Sequence, residues 1–332
     1  MEMETSLTKE IRAADSSAQY DAACKRVLSE KRILACIMKN CLEEYRDCTP
    51  QEIAERYIEG TPQVGKESVY PDESPRMHGM GNEDVTLQEG IVVYDVRFTA
   101  LAPSTGDLIR LIINVEAQNQ FYPGYPLVKR GLFYCSRLIS AQYGTEFTQG
   151  HYEKIKKVYS IWICSNPPQN RKNSIFRYRV AEDILAGDTK VREKKENYDL
   201  LTVLLLCLGD MGDETENGAL DLLNILLSIK DDPDEKLQRL KEQFQIPITQ
   251  GLDREVSLMC NLSKGIEDRG IQKGIQEGIQ KGIQKGEILG AVKTCRSLKM
   301  PEKDILMKLQ ELFSLTAEEA KQYMATKSDD KQ

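Results

Sequence analysis

One hairpin constrains this chain more than any other stretch. Residues 92–101 read VVYDVRFTAL, a run of strand formers, and after a short polar segment residues 108–119 read LIRLIINVEAQN. Side chains alternate between the two faces of a strand. The second run therefore places Ile109, Leu111, Ile113, Val115 and Ala117 on one face and Arg110, Ile112, Asn114, Glu116 and Gln118 on the other. Pairing closed through a turn at Ser104-Thr105-Gly106-Asp107 brings Asp95 alongside Glu116. Two carboxylates converging at the end of apolar strands repel one another unless a cation lies between them. A hard divalent ion such as Mg2+ suits that position, because it prefers carboxylate oxygen and keeps several of its waters. Acids on the solvent face of a hairpin are common, so a metal site and a solvated pair both stand as readings of these residues.

The rest of the composition narrows the chemistry. A chain of 332 residues holds one large domain or two ordinary ones. The opening residues are polar, and the longest purely apolar run, Val203 to Leu208, falls far short of the roughly 20 residues of a membrane span. The expectation is a cytoplasmic protein with no membrane partner. Nine cysteines are scattered without CxxC spacing, which argues against structural zinc and for reduced thiols buried as small apolar groups. His78 and His151 are the two histidines, too few for mechanisms built on several. The net charge of -7 conceals an asymmetry: between 129 and 179 there are ten basic residues and two acidic ones. Such a block, directly after the acidic pair, can hold a polyanion; it can equally be a solvated surface.

Helical spacing predicts one helix over 18–46, with Tyr20, Val27, Leu28, Ile33, Leu34, Ile37, Met38 and Leu42 inward. Thr49-Pro50-Gln51-Glu52 has the residues of a capping box and predicts a short second helix ending near Gly60. Residues 61–90 read as a long loop holding at most one short strand. After the hairpin, the spacing predicts a helix from Leu127 to about Tyr143, with Arg130, Tyr134 and Arg137 on one side and Val128, Leu132, Cys135 and Ile139 on its apolar side. A strand VYSIWIC follows at 158–164. Short helices are predicted at 219–229 and 234–244. Residues 264–290 repeat Gly-Ile-Gln-Lys/Glu, with glycine at 270, 274, 278, 282, 286 and 290. Glycine costs a helix about 1 kcal/mol each relative to alanine, so self-association of this segment and a plain spacer are both open readings. Thr316 to Glu319 caps a last helix. Helix, hairpin, helix, strand makes an α/β fold: a small mixed central sheet flanked by helices, with an α-helical C-terminal extension.

Taken in order, Asp95, Glu116-Ala117-Gln118, Lys129-Arg130, Tyr134, Arg137 and YxxIKKVYSIWI resemble the PD-(D/E)XK nuclease superfamily, and within it the Rpn-like recombination-promoting nuclease and putative transposase group. The resemblance covers about 20–210, and the glycine repeat and capped terminal helix are also usual there. It implies a restriction-endonuclease-like core over 18–210, followed by a helical segment and linker over 211–263, the repeat helix over 264–290 and a helical region over 291–328. It further implies metal-dependent DNA hydrolysis of low sequence specificity that promotes recombination. Asp95 and Glu116 are the implied ligands of Mg2+ (with Mn2+ as substitute), joined by the Ala117 carbonyl. Gln118 stands where the superfamily has lysine; it can orient water but brings no charge. Lys129 or Arg130 is a candidate for the missing charge, and Glu43 or Glu44 for a further acid. Lys129, Arg130, Tyr134 and Arg137 are the expected DNA contacts. The rival readings are a DNA-binding protein that has lost turnover and a homo-oligomeric regulatory protein working through 264–290.

Overall fold

The computed structural model describes residues 6–64, 83–86, 90–93, 95–103, 109–118, 120–188, 190–210, 213, 215–228 and 232–325. The turn expected at 104–107, His78 and Asn119 lie outside these. Two units emerge, Met1–Lys264 and Gly265–Gln332.

The first unit opens with α1 (Ser6–Leu28) and α2 (Lys31–Cys41). The single helix expected over 18–46 is thus broken at Ser29, whose hydroxyl takes the Arg26 carbonyl at 2.7 Å in place of a continuing backbone partner. The Thr49 box forms: Thr49 accepts from the Glu52 N–H and the Glu52 side chain accepts from the Thr49 N–H, starting α3 (Pro50–Glu52) and a wider turn, Ile53–Tyr57. Two short strands, β1 (Gln63–Val64) and β2 (Glu83–Thr86), occupy what reads as loop, and β3 (Gly90–Val93) takes the start of the strand-forming run at 92–101. The hairpin is β4 (Val96–Ala102) and β5 (Ile109–Gln118), followed by α4 (Leu127–Ser140), β6 (Val158–Cys164), β7 (Ser174–Arg179) and β8 (Leu201–Cys207). Then come α5 (Gly218–Leu227), capped by Asn217, and α6 (Pro233–Phe244), capped by Asp232.

Six strands make one mixed sheet in the order β1-β4-β5-β6-β8-β7, with β5, β6 and β8 parallel and the others antiparallel; β2 and β3 pair separately. Parallel strands need both faces covered, which is why β6 and β8 read as nearly unbroken apolar runs. Tyr159, Ile161, Ile163, Leu204 and Leu206 face a core built with α2, α5 and α6. Val158, Trp162, Cys164, Val203, Leu205 and Cys207 face the opposite way, toward Leu127, Tyr134, Cys135 and Leu138 of α4. Helical residues between 211 and 263 share the first of these cores with the sheet. Lys236 is buried there, its ammonium spent on the carbonyls of Leu226 and Ser228 at the C-terminal end of α5, where positive charge is favoured.

The long helix α7 (Gln250–Ser297) extends well beyond both ends of the repeat. In the second unit, its Ile271, Ile275, Ile279 and Ile283 are exposed, and a Cβ at Gly274, Gly278, Gly282 or Gly286 would meet nothing within 4 Å. From the last unit of the repeat onward, Ile288, Val292 and Cys295 pack with α8 (Glu302–Phe313) and α9 (Ala317–Ala325). Among the described residues no helix is long and apolar enough to cross a membrane. All nine cysteines are free thiols, seven of them buried.

Candidate active site

The register Val96↔Val115 makes Asp95, in the bend that opens β4, the neighbour of Glu116 near the end of β5. The two carboxylates complete the backbone ladder. The Asp95 N–H donates to Glu116 Oε1 at 3.2 Å, and the Ala117 N–H donates to Asp95 Oδ2 at 3.0 Å. They therefore meet at one corner, the carboxyl end of parallel β5 and β6, where open α/β sheets form their crevices. Val115 faces the α2 and α5 core, so Glu116 takes the α4 side; it is only 4% exposed.

Buried acids this close demand a counter-charge. It comes from α1, through a residue the sequence gives little reason to select. Lys25 Nζ lies 3.0 Å from Asp95 Oδ1 and 2.5 Å from Asp21, one helical turn earlier. Burial works against the Lys25 ammonium, but its hydrogen bonds and charge interactions with Asp21 and Asp95 prevail and raise its pKa. For Asp95 the balance goes the other way: burial pushes the carboxyl up, and the Lys25 charge and Ala117 N–H pull it back only in part. The Asp21–Lys25 spacing of four is visible in the sequence, yet nothing local says that this pair turns toward β5.

Arg130 approaches from α4. Its guanidinium donates to the Tyr134 hydroxyl at 2.7 and 3.2 Å and to the Tyr125 hydroxyl at 3.0 Å, and lies 5.2 Å from the centre of the Trp162 ring. The Tyr134 phenol has its pKa raised by burial and then by the charges of Glu116 and Asp95, which tie it to the acid pair; Arg130 opposes the shift. Gln118 is half-buried, and its amide donates to the Gln120 carbonyl at 2.7 Å. Ala117 joins the corner through its N–H. Lys129 is exposed on the first turn of α4.

Other sequence expectations need correction. The helix face carrying Tyr134 and Arg137 is turned inward, with Arg137 2% exposed, while Leu132 and Phe133 are exposed. The reason is Gly131: a Cβ there would come within 2.6 Å of Val203 Cγ1, so its absence lets α4 lie close to the sheet on that face. Tyr134 and Arg137 are therefore packed against the sheet and do not present a surface to a polyanion. Glu43 and Glu44 lie at the other end of the strands. Glu44 accepts from Lys157 Nζ at 3.0 Å and from the Tyr159 hydroxyl at 2.7 Å, and Glu43 from Arg177, Arg179 and Lys195. The basic block of 129–179 is accordingly no free patch: Lys157, Lys172, Arg177 and Arg179 are ion-paired with acids from outside it.

Two carboxylates that converge from neighbouring strand ends fit a hard, oxygen-preferring cation by donor chemistry. Among the described residues no group of three or more His, Cys, Asp or Glu is placed to hold a metal ion. Comparison with protein-family models, with curated proteins and with solved structures gives no match for this chain, so a functional reading rests on the corner where Asp95, Glu116 and Lys25 meet.

Proposed function

We propose that the protein is a Mg2+-dependent deoxyribonuclease with a restriction-endonuclease-like core, of the Rpn-like branch of the PD-(D/E)XK superfamily. The observation that carries this reading is the placing of Asp95 and Glu116 at one sheet corner, where the Asp95 N–H donates to Glu116 and the Ala117 N–H to Asp95, with the Lys25 ammonium against Asp95. The element order supports it: a hairpin bearing both acids, then a helix, then a strand parallel to the second hairpin strand. Asp95 and Glu116 are the residues that would hold Mg2+, or Mn2+ in its place. When bound, the ion supplies a more acidic water and a positive charge toward phosphate oxygens.

The chain's own groups divide the remaining work. Ala117, by donating its N–H to Asp95, fixes the direction of that carboxylate. Gln118 orients water with its amide and contributes no charge. The charge that a lysine at 118 would bring is supplied from two sides, by Lys25 on α1 and Arg130 on α4. Lys129, exposed beside them, contacts flanking phosphates, so affinity falls steeply with salt. Nothing in this set reads base edges, in keeping with low sequence specificity and with a role in promoting recombination.

The test is nicking of supercoiled plasmid in Mg2+ by the wild type, Asp95→Asn and Glu116→Gln. Both substitutions keep side-chain shape and are expected to lower cleavage at least about a hundredfold, with the fold retained by circular dichroism. Cleavage that survives either one removes the site. DNA binding without any cleavage by the wild type would instead leave the chain a binding protein on a nuclease fold.

A further inference from the structure

The segment that follows the acid pair and leads into α4 is built to display aromatic rings. Residues 120–126 read Gln-Phe-Tyr-Pro-Gly-Tyr-Pro. Pro123 and Pro126 restrict the backbone, and Gly124 takes φ +98°, a conformation that side chains disfavour. Phe121 is half-buried, set edge-on to Tyr122 with ring centres 4.9 Å apart, and the Arg171 guanidinium lies 5.7 Å from its ring. Held in this way, the segment leaves Tyr122 66% and Tyr125 44% exposed.

Neither ring is remote from the chemistry. The Tyr125 hydroxyl accepts from Arg130, and Arg130 in turn donates to Tyr134, whose phenol feels the Glu116 charge. Tyr125 and Tyr134 therefore share one guanidinium, two hydrogen bonds apart, on the side of the sheet that Glu116 takes. Lys129 adds an exposed cation one helical turn away. Exposed aromatic faces interleaved with cations are how proteins grip single strands: bases stack on the rings while phosphates meet the charges. A duplex keeps its bases stacked on one another and offers the rings only its backbone.

We propose that residues 120–126 form a stacking platform for unpaired bases beside the scissile phosphate, so that the substrate class is single-stranded or locally unpaired DNA. This rests on the nuclease reading above and adds to it the strandedness of the substrate. Tyr122 takes one base on its open face. Tyr125, pinned through its hydroxyl, sets the position of the next one relative to Arg130.

Fluorescence anisotropy on the full chain in EDTA tests it, with a labelled 20-nucleotide oligothymidine and a labelled 20-base-pair duplex. The single strand is expected to bind about tenfold more tightly than the duplex. Tyr122→Ala and Tyr125→Ala should each weaken single-strand binding about five- to tenfold, as the loss of one base stack does, and leave duplex binding within about twofold. Tyr122→Phe, which keeps the ring, should bind as the wild type does. Duplex binding equal to or tighter than single-strand binding, or alanine variants that bind the oligothymidine normally, overturns the platform while Mg2+-dependent cleavage by the same protein leaves the nuclease reading intact. Absence of binding to either probe together with absence of cleavage overturns both.

Discussion

Each end of the parallel strands carries a cluster of three acids, and the clusters differ in how they are balanced. At the amino end, Glu43, Glu44 and Asp199 are met by Lys157, Lys195, Arg177 and Arg179. At the carboxyl end, Asp21 and Asp95 share Lys25 as their ion-pair partner, Glu116 accepts from the Asp95 N–H, and Arg130 donates to the Tyr134 hydroxyl on α4. The amino-end cluster is close to neutral and ties α2, the β7 edge and the approach to β8 together. Glu43 is held ionised there: the Lys195 hydrogen bond, opposed by burial and helped by the charges of Lys195, Arg177 and Arg179, brings its carboxyl down to about 2. At the carboxyl end burial wins, and Asp95 is pushed up. A fold spends complete charge pairing where it needs a joint. Acids buried at a crevice are costly to the fold and suited to a cation or a phosphate-bound water.

The largest effect expected from this contrast is on stability at the amino end. Asp199→Ala removes a 4% exposed carboxylate that accepts from Lys157 at 2.8 Å. It should cost about 3 kcal/mol in urea unfolding, since breaking a buried pair strands the remaining charge. Nicking by the folded fraction should be unchanged; lost nicking at intact stability would break the contrast. Next is Lys25→Met, expected to slow cleavage about a hundredfold, or about 2.7 kcal/mol in the barrier, with Lys25→Arg recovering most of the rate. Normal cleavage by Lys25→Met would make that lysine a structural counter-ion alone.

Gly131→Ala should then cost about 2 kcal/mol by overpacking against Val203, and in doing so shift Arg130 and Tyr134 away from the acid pair. A variant as stable as the wild type would show that α4 can withdraw freely. The smallest effect is one of pH. Glu43 has its folded pKa depressed to about 2 from 4.5, so the stability it contributes is complete above about pH 4.5 and is lost as pH falls toward 2. Solvent screening at this partly exposed group keeps that contribution near 1 kcal/mol or below. Glu43→Gln should flatten this acid limb; an unchanged profile between pH 5 and 2.5 would assign it to other carboxylates.

Local chemistry made several elements legible before any coordinates. The Thr49 and Thr316 boxes both form as their residues imply. The strand VYSIWIC runs over Val158–Cys164, and the pairing of Asp95 with Glu116 has the register that a hairpin closed at 104–107 implies. What the sequence did not show has separate causes. The inward face of α4 runs through Gly131, which an apolar count does not register. β7 carries Arg177 and Arg179 on an edge strand, a pattern with little apolar alternation to mark it. The cations of 129–179 look free because the acids that neutralise them, Glu43, Glu44, Asp199 and Asp210, are distant in the chain.

The sequence by itself determined the hairpin, the strand at 158–164, the two threonine caps and the place where two carboxylates come level, because those depend on neighbours one to four residues apart or on a single hairpin register. Tertiary structure decided which charges meet. It brought Lys25 across from the first helix to Asp95, took Glu43 and Glu44 to the far end of the sheet and turned Tyr134 inward. Coulomb interactions and burial depend on distance in space, and the packing of helices onto the sheet sets those distances.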